Sequence, residues 1–155
     1  MISSRLPGRD SLLFVYGTLR ACVDIPMARW LRDVATHGGS ARTHGRLYDL
    51  GPYPGLRPAR RCDEWVTGDL YRVSTKVLRA LDRYEAGNGS GAPRFVRQRC
   101  VVRVAQFRSR SAWVYVYQQI AAPQARVRSG DYRLALRSRS QFRGEQLLLA
   151  GEPIQ

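Results

Sequence analysis

Lysine is almost absent from this sequence: Lys76 is the only lysine among 26 basic residues, and all the others are arginine. Only 12 acidic residues oppose them, which leaves a formal net charge of +14. The excess is greatest late in the chain, where twelve arginines from Arg94 to Arg143 face the single acid Asp131. Such a charge favours contact with polyanions. However, the uniform use of arginine indicates a coding bias, and no helix-turn-helix, zinc-finger or RNP-like pattern is present. We therefore expect a solvated arginine-rich surface with incidental polyanion affinity, rather than a dedicated nucleic-acid function.

Long apolar runs and paired-cysteine motifs are also missing. The longest apolar stretch, Leu12–Tyr16, is far shorter than the roughly 20 residues that a helix needs to cross a bilayer. The opening segment MISSRLPGRD carries positive charge but no apolar core, so no secretory signal peptide is expected. The three cysteines, Cys22, Cys62 and Cys100, form no CxxC motif and cannot all pair. We therefore expect free thiols, a cytoplasmic location and no membrane contact.

The hydrophobic pattern predicts a mixed fold in a single domain. We expect a flexible N-terminus at residues 1–10, a folded domain at 11–136 and a basic C-terminal tail at 137–155. Alternating or short buried runs predict strands at Trp65–Val73, Phe95–Val104 and Ala112–Gln118. The apolar run Leu12–Leu19 is predicted to be a buried strand that runs into a tight turn at Gly17 and Thr18. Helical spacing predicts helices at Met27–Val34, from Ser74 or Thr75 to Tyr84 or Glu85, and at Tyr132–Leu136. Turn residues predict loops at His37–Gly39, Gly51–Gly55 and Asn88–Pro93. With no regular βαβ alternation, the fold class is α+β, and the sheet is expected to curl into a small barrel with short flanking helices.

Three of the late arginines lie on one face of a predicted strand. Within Phe95–Val104, Arg97, Arg99 and Arg103 alternate with apolar residues that share the opposite face. This alternation is typical of an antiparallel strand with one side in water. These arginines are therefore expected on a solvent-facing surface.

Glu85 is the most informative single position. In the helix that begins near Ser74, Val77 and Leu81 are four residues apart, and four more residues reach Glu85. The spacing directs the carboxylate toward the buried side of the helix, and the last turn is the negative end of the helix dipole. Burial and dipole both favour the protonated acid, so they predict a pKa raised toward the range of general acid–base catalysis. The alternative is a frayed helix end that leaves Glu85 in water.

A second candidate feature is the segment Tyr16, Gly17, Thr18 and Leu19, which follows a buried run. A strand that ends at a glycine turn can present successive backbone N–H groups to an anion or a carbonyl oxygen. Glycine also lets a ligand approach the backbone closely. The alternative, for a motif this short, is an ordinary strand-to-turn junction.

The remaining polar and aromatic residues form no known catalytic spacing. His37 and His44 have no partner at metal or triad spacing and are interpreted as loop residues. The glycines match neither a dinucleotide fingerprint nor a P-loop, and no metal or organic cofactor is expected. Tyr115 and Tyr117 are interpreted as sheet packing.

Several segments together resemble the γ-glutamylcyclotransferase-like family, and most of all its short γ-glutamylamine cyclotransferase branch. The resemblance spans about residues 12–118 in family order. It rests on Phe14–Leu19 (FVYGTL), Gly45–Tyr48 (GRLY), Tyr53–Gly55 (YPG), Val66–Tyr71 (VTGDLY), Leu81–Glu85 (LDRYE), Phe95–Arg97 (FVR) and Ala112–Tyr117 (AWVYVY). The string YGTL followed some 65 residues later by LDxxE is far more specific than either part.

The resemblance implies a mixed barrel with a central cavity and a small-molecule γ-glutamyl substrate. Tyr16, Gly17, Thr18 and Leu19 would hold the γ-glutamyl group largely through backbone atoms, and Glu85 would be the catalytic acid and base. The strand after the glutamate usually opens with tyrosine in the family, whereas this chain has Phe95, so a hydroxyl contact is missing there. The basic segment from about residue 123 onward matches no family motif.

The expected reaction is an intramolecular aminolysis that releases 5-oxoproline and a free amine, with Glu85 moving the proton. Two other interpretations stay open on sequence alone. One is a non-catalytic member of the same fold that binds a small ligand, and the other is an arginine-rich polyanion-binding protein.

Overall fold

The computed structural model describes residues 10–87 and 91–149. Its elements, in chain order, are β1 (Ser11–Val15), α1 (Pro26–Val34), β2 (Thr36–His44), β3 (Arg46–Asp49), β4 (Pro54–Arg57), β5 (Trp65–Val73), α2 (Thr75–Ala86), β6 (Phe95–Arg103), β7 (Ser109–Tyr117) and α3 (Tyr132–Leu149). Short 3₁₀ turns lie at Ala105–Phe107 and Pro123–Ala125. Within the described ranges, no helix is both long and apolar enough to cross a membrane.

Five of the strands close into a barrel in the order β1-β5-β2-β6-β7, and β3 pairs with β4 in a separate two-stranded sheet. Neighbouring barrel strands are antiparallel except at the closure, where β1 pairs in parallel with β7 through Leu13 and Trp113. Gly68 of β5 lies against β1, and a Cβ there would come 2.3 Å from the carbonyl oxygen of Val15. The α+β barrel predicted from the sequence is confirmed.

Strand β1 separates two hydrophobic cores because both of its faces are buried. Phe14 joins the core inside the barrel, whereas Leu13 and Val15 join a second core between the barrel and helices α1 and α2. Helix α2 contributes Val77 and Leu81 to this second core. The helix that carries the predicted catalytic glutamate is therefore fixed to the outside of the strand that ends in the glycine turn.

The start and end of α2 follow the predicted capping pattern. The Ser74 hydroxyl accepts a hydrogen bond from the backbone N–H of Val77 at 3.3 Å, which satisfies a free donor of the first turn. Gly87 ends the helix with a φ of 73°, a conformation that glycine adopts without strain. The last turn is therefore ordered up to Ala86.

Some predictions about local structure need correction or lie outside the described residues. The loop expected at His37–Gly39 is part of β2, where a bulge between His37 and Ser40 absorbs the two glycines. The last helix does not end at Leu136 but continues to Leu149, since residues 137–149 contain mostly good helix formers and no proline. Within the expected turn at 51–55, the last two residues belong to β4. Three predicted features lie partly outside the described residues: the N-terminal segment (residues 1–9), the loop at 88–93 (residues 88–90) and the C-terminal tail (residues 150–155).

Candidate active site

A cavity of about 630 Å³ opens where β1, the end of α2, the start of β6 and the β4 strand meet. Its lining includes all four residues of the predicted loop, Tyr16 to Leu19, together with Glu85. The structure thus brings together the two features that the sequence singled out, which are 66 to 69 residues apart in the chain. Volumes of 300–1,000 Å³ are typical of small-molecule sites.

Tyr16 lines the cavity and anchors the end of β1. Its hydroxyl donates a 2.7 Å hydrogen bond to the carbonyl of Tyr115 on β7 and accepts one of 3.1 Å from the backbone N–H of Leu56 on β4. Burial raises the pKa of this phenol well above its ordinary value of 10, and the nearby Glu85 carboxylate adds to the rise. Tyr16 is therefore a neutral residue that ties the end of β1 to the walls on either side.

Gly17 is required because a larger residue would clash with Pro54 of the protein itself. From the sequence we expected a different reason, the close approach of a ligand to the backbone. A Cβ at Gly17 would lie 2.4 Å from Cγ of Pro54, which also lines the cavity. The Gly17 carbonyl accepts the N–H of Arg20 at 3.1 Å and closes the turn. Among the described residues, the N–H groups of Gly17, Thr18 and Leu19 donate no hydrogen bond. These donors are available to a ligand.

Arg20, directly after the loop, is buried and was not identified from the sequence. Its side chain contacts Asp69 of β5 at 3.3 Å and Asp131 at 2.8 Å. The same Asp69 carboxylate accepts the backbone N–H of Ala21 at 3.1 Å. A charge can be buried only when it is paired and hydrogen-bonded. The Arg20 network therefore fixes the second end of the loop, as Tyr16 fixes the first.

Glu85 lies at the cavity wall with its side chain mostly buried. Desolvation raises its pKa from 4.5 to about 7. Its charge in turn raises the pKa of Tyr16, Tyr84 and Tyr115, which places its carboxylate near all three phenols. No hydrogen bond from the described residues reaches this carboxylate, so its oxygens can engage a ligand. The predicted rise in pKa is present, and the interpretation as a frayed end in bulk water does not fit.

Tyr115 and Asp82 form a tether between β7 and α2 next to Glu85. The Tyr115 hydroxyl donates a 2.8 Å hydrogen bond to Asp82, and Arg97 of β6 donates two more to the same carboxylate at 2.9 and 3.1 Å. Burial and then the Asp82 hydrogen bond raise the pKa of Tyr115 far above its ordinary value. Tyr115 also lines the cavity, so it is more than the sheet packing that we predicted. The sequence signal was the spacing of Asp82 and Glu85 in LDRYE, which places the two acids on adjacent sides of one helix.

The open rim of the cavity is aromatic, with one arginine. Phe95 packs its ring 5.6 Å from that of Tyr53 and 5.4 Å from that of Tyr117. Arg94 is exposed and donates a 2.5 Å hydrogen bond to the Tyr53 hydroxyl. Because Tyr53 and Tyr117 surround Phe95, phenol groups are present close to the position where the family usually has tyrosine.

The two histidines and possible metal ligands lie apart from this cavity. Both histidines are in β2 rather than in loops, which corrects their predicted placement. His37 lies 3.5 Å from Asp69, and His44 stacks on Trp65 with ring centroids 3.7 Å apart. Among residues 10–87 and 91–149, no cluster of three or more His, Cys, Asp or Glu side chains could hold a metal ion.

Comparisons with known proteins identify the family. The family model described as "Gamma-glutamyl cyclotransferase, AIG2-like" matches residues 13–134. The chain is 30% identical to the γ-glutamylcyclotransferase family protein YtfP of Escherichia coli K12 over an alignment of 120 residues. This alignment covers 77% of this chain and 94% of YtfP. It is 38% identical over 87 residues to the human γ-glutamylaminecyclotransferase, covering 49% of this chain and 54% of that protein.

The fold agrees with this identification. The crystal structure of an AIG2-like protein from Mus musculus superposes with a TM-score of 0.59 and 26% identity, over 75% of this chain and 82% of that chain. The Bacillus subtilis protein YkqA superposes with a TM-score of 0.66 over 84% of this chain and 43% of that chain, at 24% identity. Since the family model matches most of its length, the chain belongs to the γ-glutamyl cyclotransferase, AIG2-like family and is a γ-glutamylcyclotransferase-like enzyme.

Proposed function

We propose that this enzyme releases 5-oxoproline and a free amine from a γ-glutamyl amine, with Glu85 as general base and then general acid. One observation carries the proposal: a carboxyl group whose pKa is raised to about 7 lines the same cavity as the free backbone donors of the loop at 16–19. General acid–base groups work best when their pKa is near the working pH. The names of the related proteins support the γ-glutamyl substrate class.

The loop at 16–19 would hold the glutamyl part of the substrate. The N–H groups of Gly17, Thr18 and Leu19 are suited to carboxylate or carbonyl oxygens because backbone N–H groups in a turn form anion-binding concavities. Tyr16 and Arg20 fix the loop at both ends, so the donors are held in place before the substrate binds. Preorganised donors cost no reorganisation during the reaction.

The chemistry needs no second substrate, because nucleophile and electrophile are tethered. The substrate's α-amine nitrogen attacks the γ-carbonyl carbon, and a new carbon–nitrogen bond closes the five-membered ring. The Glu85 carboxylate takes a proton from the attacking nitrogen. When the bond from the γ-carbon to the leaving nitrogen breaks, protonated Glu85 returns that proton to the departing amine. Charge that develops on the γ-carbonyl oxygen would be stabilised by the N–H donors of the loop.

The proposal is tested by measuring 5-oxoproline by mass spectrometry after incubation with a panel of γ-glutamyl amines and γ-glutamyl dipeptides. Wild-type protein is expected to release 5-oxoproline from at least one of them, and Glu85→Gln is expected to release none while keeping the wild-type circular dichroism spectrum. Asp33→Asn, which neutralises an exposed carboxylate on α1, is the matched control and should keep full activity.

Two results would contradict the proposal. Turnover by Glu85→Gln at the wild-type rate would remove Glu85 from the reaction. Binding of γ-glutamyl compounds by wild-type protein without any 5-oxoproline would leave a binding module of the same fold. The identity of the best substrate in the panel also tests the expected similarity to the γ-glutamylamine branch.

A further inference from the structure

A surface rich in tryptophan and arginine lies on the outside of the barrel, across four neighbouring strands. We call it the Trp–Arg face, and it consists of Trp65 of β5, Arg42 and His44 of β2, Arg99 and Arg103 of β6, and Trp113 of β7. None of these residues lines the substrate cavity. The face is therefore separate from the site proposed above.

Each tryptophan ring on this face is in contact with cationic or imidazole groups. The guanidinium carbon of Arg42 lies 4.6 Å from the Trp65 ring centroid and that of Arg103 lies 5.2 Å from it, and His44 stacks on the same ring. On the other tryptophan, Arg99 lies 4.0 Å from the Trp113 centroid. Contacts at these distances are favourable cation–π interactions.

The register places two of these arginines directly opposite each other. Arg42 and Arg103 are paired residues of the antiparallel strands β2 and β6. Like charges at directly opposite positions repel, so this arrangement costs stability in the free protein. A bound anion between the two guanidinium groups would remove that cost.

Carboxylates on neighbouring parts of the fold are paired with other cations. Asp82 pairs with Arg97, which stacks on the opposite end of the face, and Asp69 pairs with buried Arg20. Within the described ranges, no carboxylate lies within 4.0 Å of the guanidinium groups of Arg42, Arg99 or Arg103. The Trp–Arg face is therefore a patch of uncompensated positive charge.

Stacking prepares these arginines for phosphate groups. An aromatic ring restrains the guanidinium plane but leaves the N–H groups at its edge free, and the planar fork matches phosphate oxygens in bidentate contacts. Arg99 and Arg103 are four residues apart on one strand face, which corresponds to about 13 Å.

We infer that the Trp–Arg face binds the phosphodiester backbone of single-stranded nucleic acid without sequence preference. The face offers cations along a strand direction, and its residues line neither of the two cavities described for residues 10–87 and 91–149, so contacts are to the backbone. This goes beyond the incidental affinity expected from net charge, because it assigns the binding to one surface and to the geometry of two tryptophans.

The test measures binding of a short fluorescein-labelled oligouridylate by fluorescence anisotropy over a series of salt concentrations. Each lost phosphate contact reduces the slope of log K against log salt by about 0.7 for a single strand. Arg42→Gln/Arg103→Gln is therefore expected to reduce the slope by about 1.4 and to weaken binding. The matched control is Arg79→Gln/Arg83→Gln, which removes the same charge from exposed positions of α2 and should leave the slope unchanged.

A second variant separates geometry from charge. Trp65→Leu keeps the net charge but removes the ring that restrains Arg42 and Arg103, and it is expected to weaken binding several-fold. Circular dichroism verifies that Trp65→Leu is folded. If it is not folded, the inference is tested by comparing the salt slopes of Arg42→Gln/Arg103→Gln and Arg79→Gln/Arg83→Gln.

Three results would overturn the inference. Equal losses in the two double variants would show that bulk charge alone binds the oligonucleotide. Unchanged affinity in folded Trp65→Leu would remove the role of stacking. Binding to phosphatidylserine vesicles without binding to the oligonucleotide would assign the face to a membrane surface instead.

Discussion

Replacing Glu85 by glutamine is expected to stabilise the protein above neutral pH and to leave its stability unchanged in acid. The carboxyl group is partly buried without a hydrogen-bonding partner among the described residues, and this desolvation raises its pKa from 4.5 to about 7. Between those two values the folded protein binds a proton that the unfolded chain releases. Stability therefore falls as the pH rises through this window, because ionisation of the buried group opposes folding.

The magnitude follows from the size of the pKa difference. A tenfold change in a proton-binding constant corresponds to about 1.4 kcal/mol, so ionising Glu85 in the folded state costs up to about 3 kcal/mol. Glutamine has nearly the same shape and never ionises. The difference in unfolding free energy between Glu85→Gln and wild type should therefore grow from near zero below pH 4.5 to about 3 kcal/mol above pH 7.

The assay is urea denaturation of both proteins across this pH range, followed by circular dichroism. Other titrating groups are common to both proteins and cancel in the difference. Asp33→Asn controls for the loss of one negative charge, since Asp33 is exposed. A difference that does not change with pH would refute the burial of an ionisable Glu85, and with it the physical basis of the proposed proton transfer.

Three further predictions concern Arg20, Gly17 and the paired carboxylate of Glu64, which lies outside the cavity lining. Arg20→Gln removes the buried cation that Asp69 and Asp131 share and is expected to cost about 3–5 kcal/mol in urea denaturation. Gly17→Ala forces a Cβ into Pro54, so it is expected to lower the unfolding free energy by about 1–3 kcal/mol and to lower kcat/KM for the best substrate of the panel. Wild-type values of both quantities would contradict the packing described for this turn. Burial opposes ionisation of Glu64, but hydrogen bonds from two backbone N–H groups and Arg126 outweigh it and lower the pKa of Glu64 to about 2. The contribution of ionised Glu64 to stability is therefore present above pH 4.5 and is lost as the pH falls toward 2. Glu64→Gln should be less stable than wild type at neutral pH and equally stable in strong acid. Circular dichroism during acid titration of both proteins measures this difference.

Elements whose residues carry a clear local pattern were predicted well. The bounds Trp65–Val73 for β5 agree with the structure, and α2 has both the serine cap and the glycine end that its sequence indicates. The burial of Glu85 followed from the same helical spacing. In each case the information lies within a few residues along the chain, so local geometry is sufficient.

Features that depend on distant residues could not be predicted from the sequence alone. Arg20 meets its partners 49 and 111 residues away, and nothing near Arg20 distinguishes it from the many exposed arginines. Tyr115 meets Asp82 across 33 residues. Strand β2 was missed for a different reason: two glycines and mostly polar residues form it, and its pairing with β5 and β6 rather than its own pattern makes it a strand.

The parallel pairing of β1 with β7 has a consequence for the order in which the protein can fold during synthesis. Tyr16 and the carbonyl that it contacts are 99 residues apart, so this contact forms only after most of the chain has left the ribosome. When a nascent chain has emerged as far as α2, Glu85 and the turn at 16–19 are outside the ribosome, but the wall made by β6 and β7 has yet to emerge. The surroundings that raise the pKa of Glu85 are therefore completed late, when β7 closes the barrel.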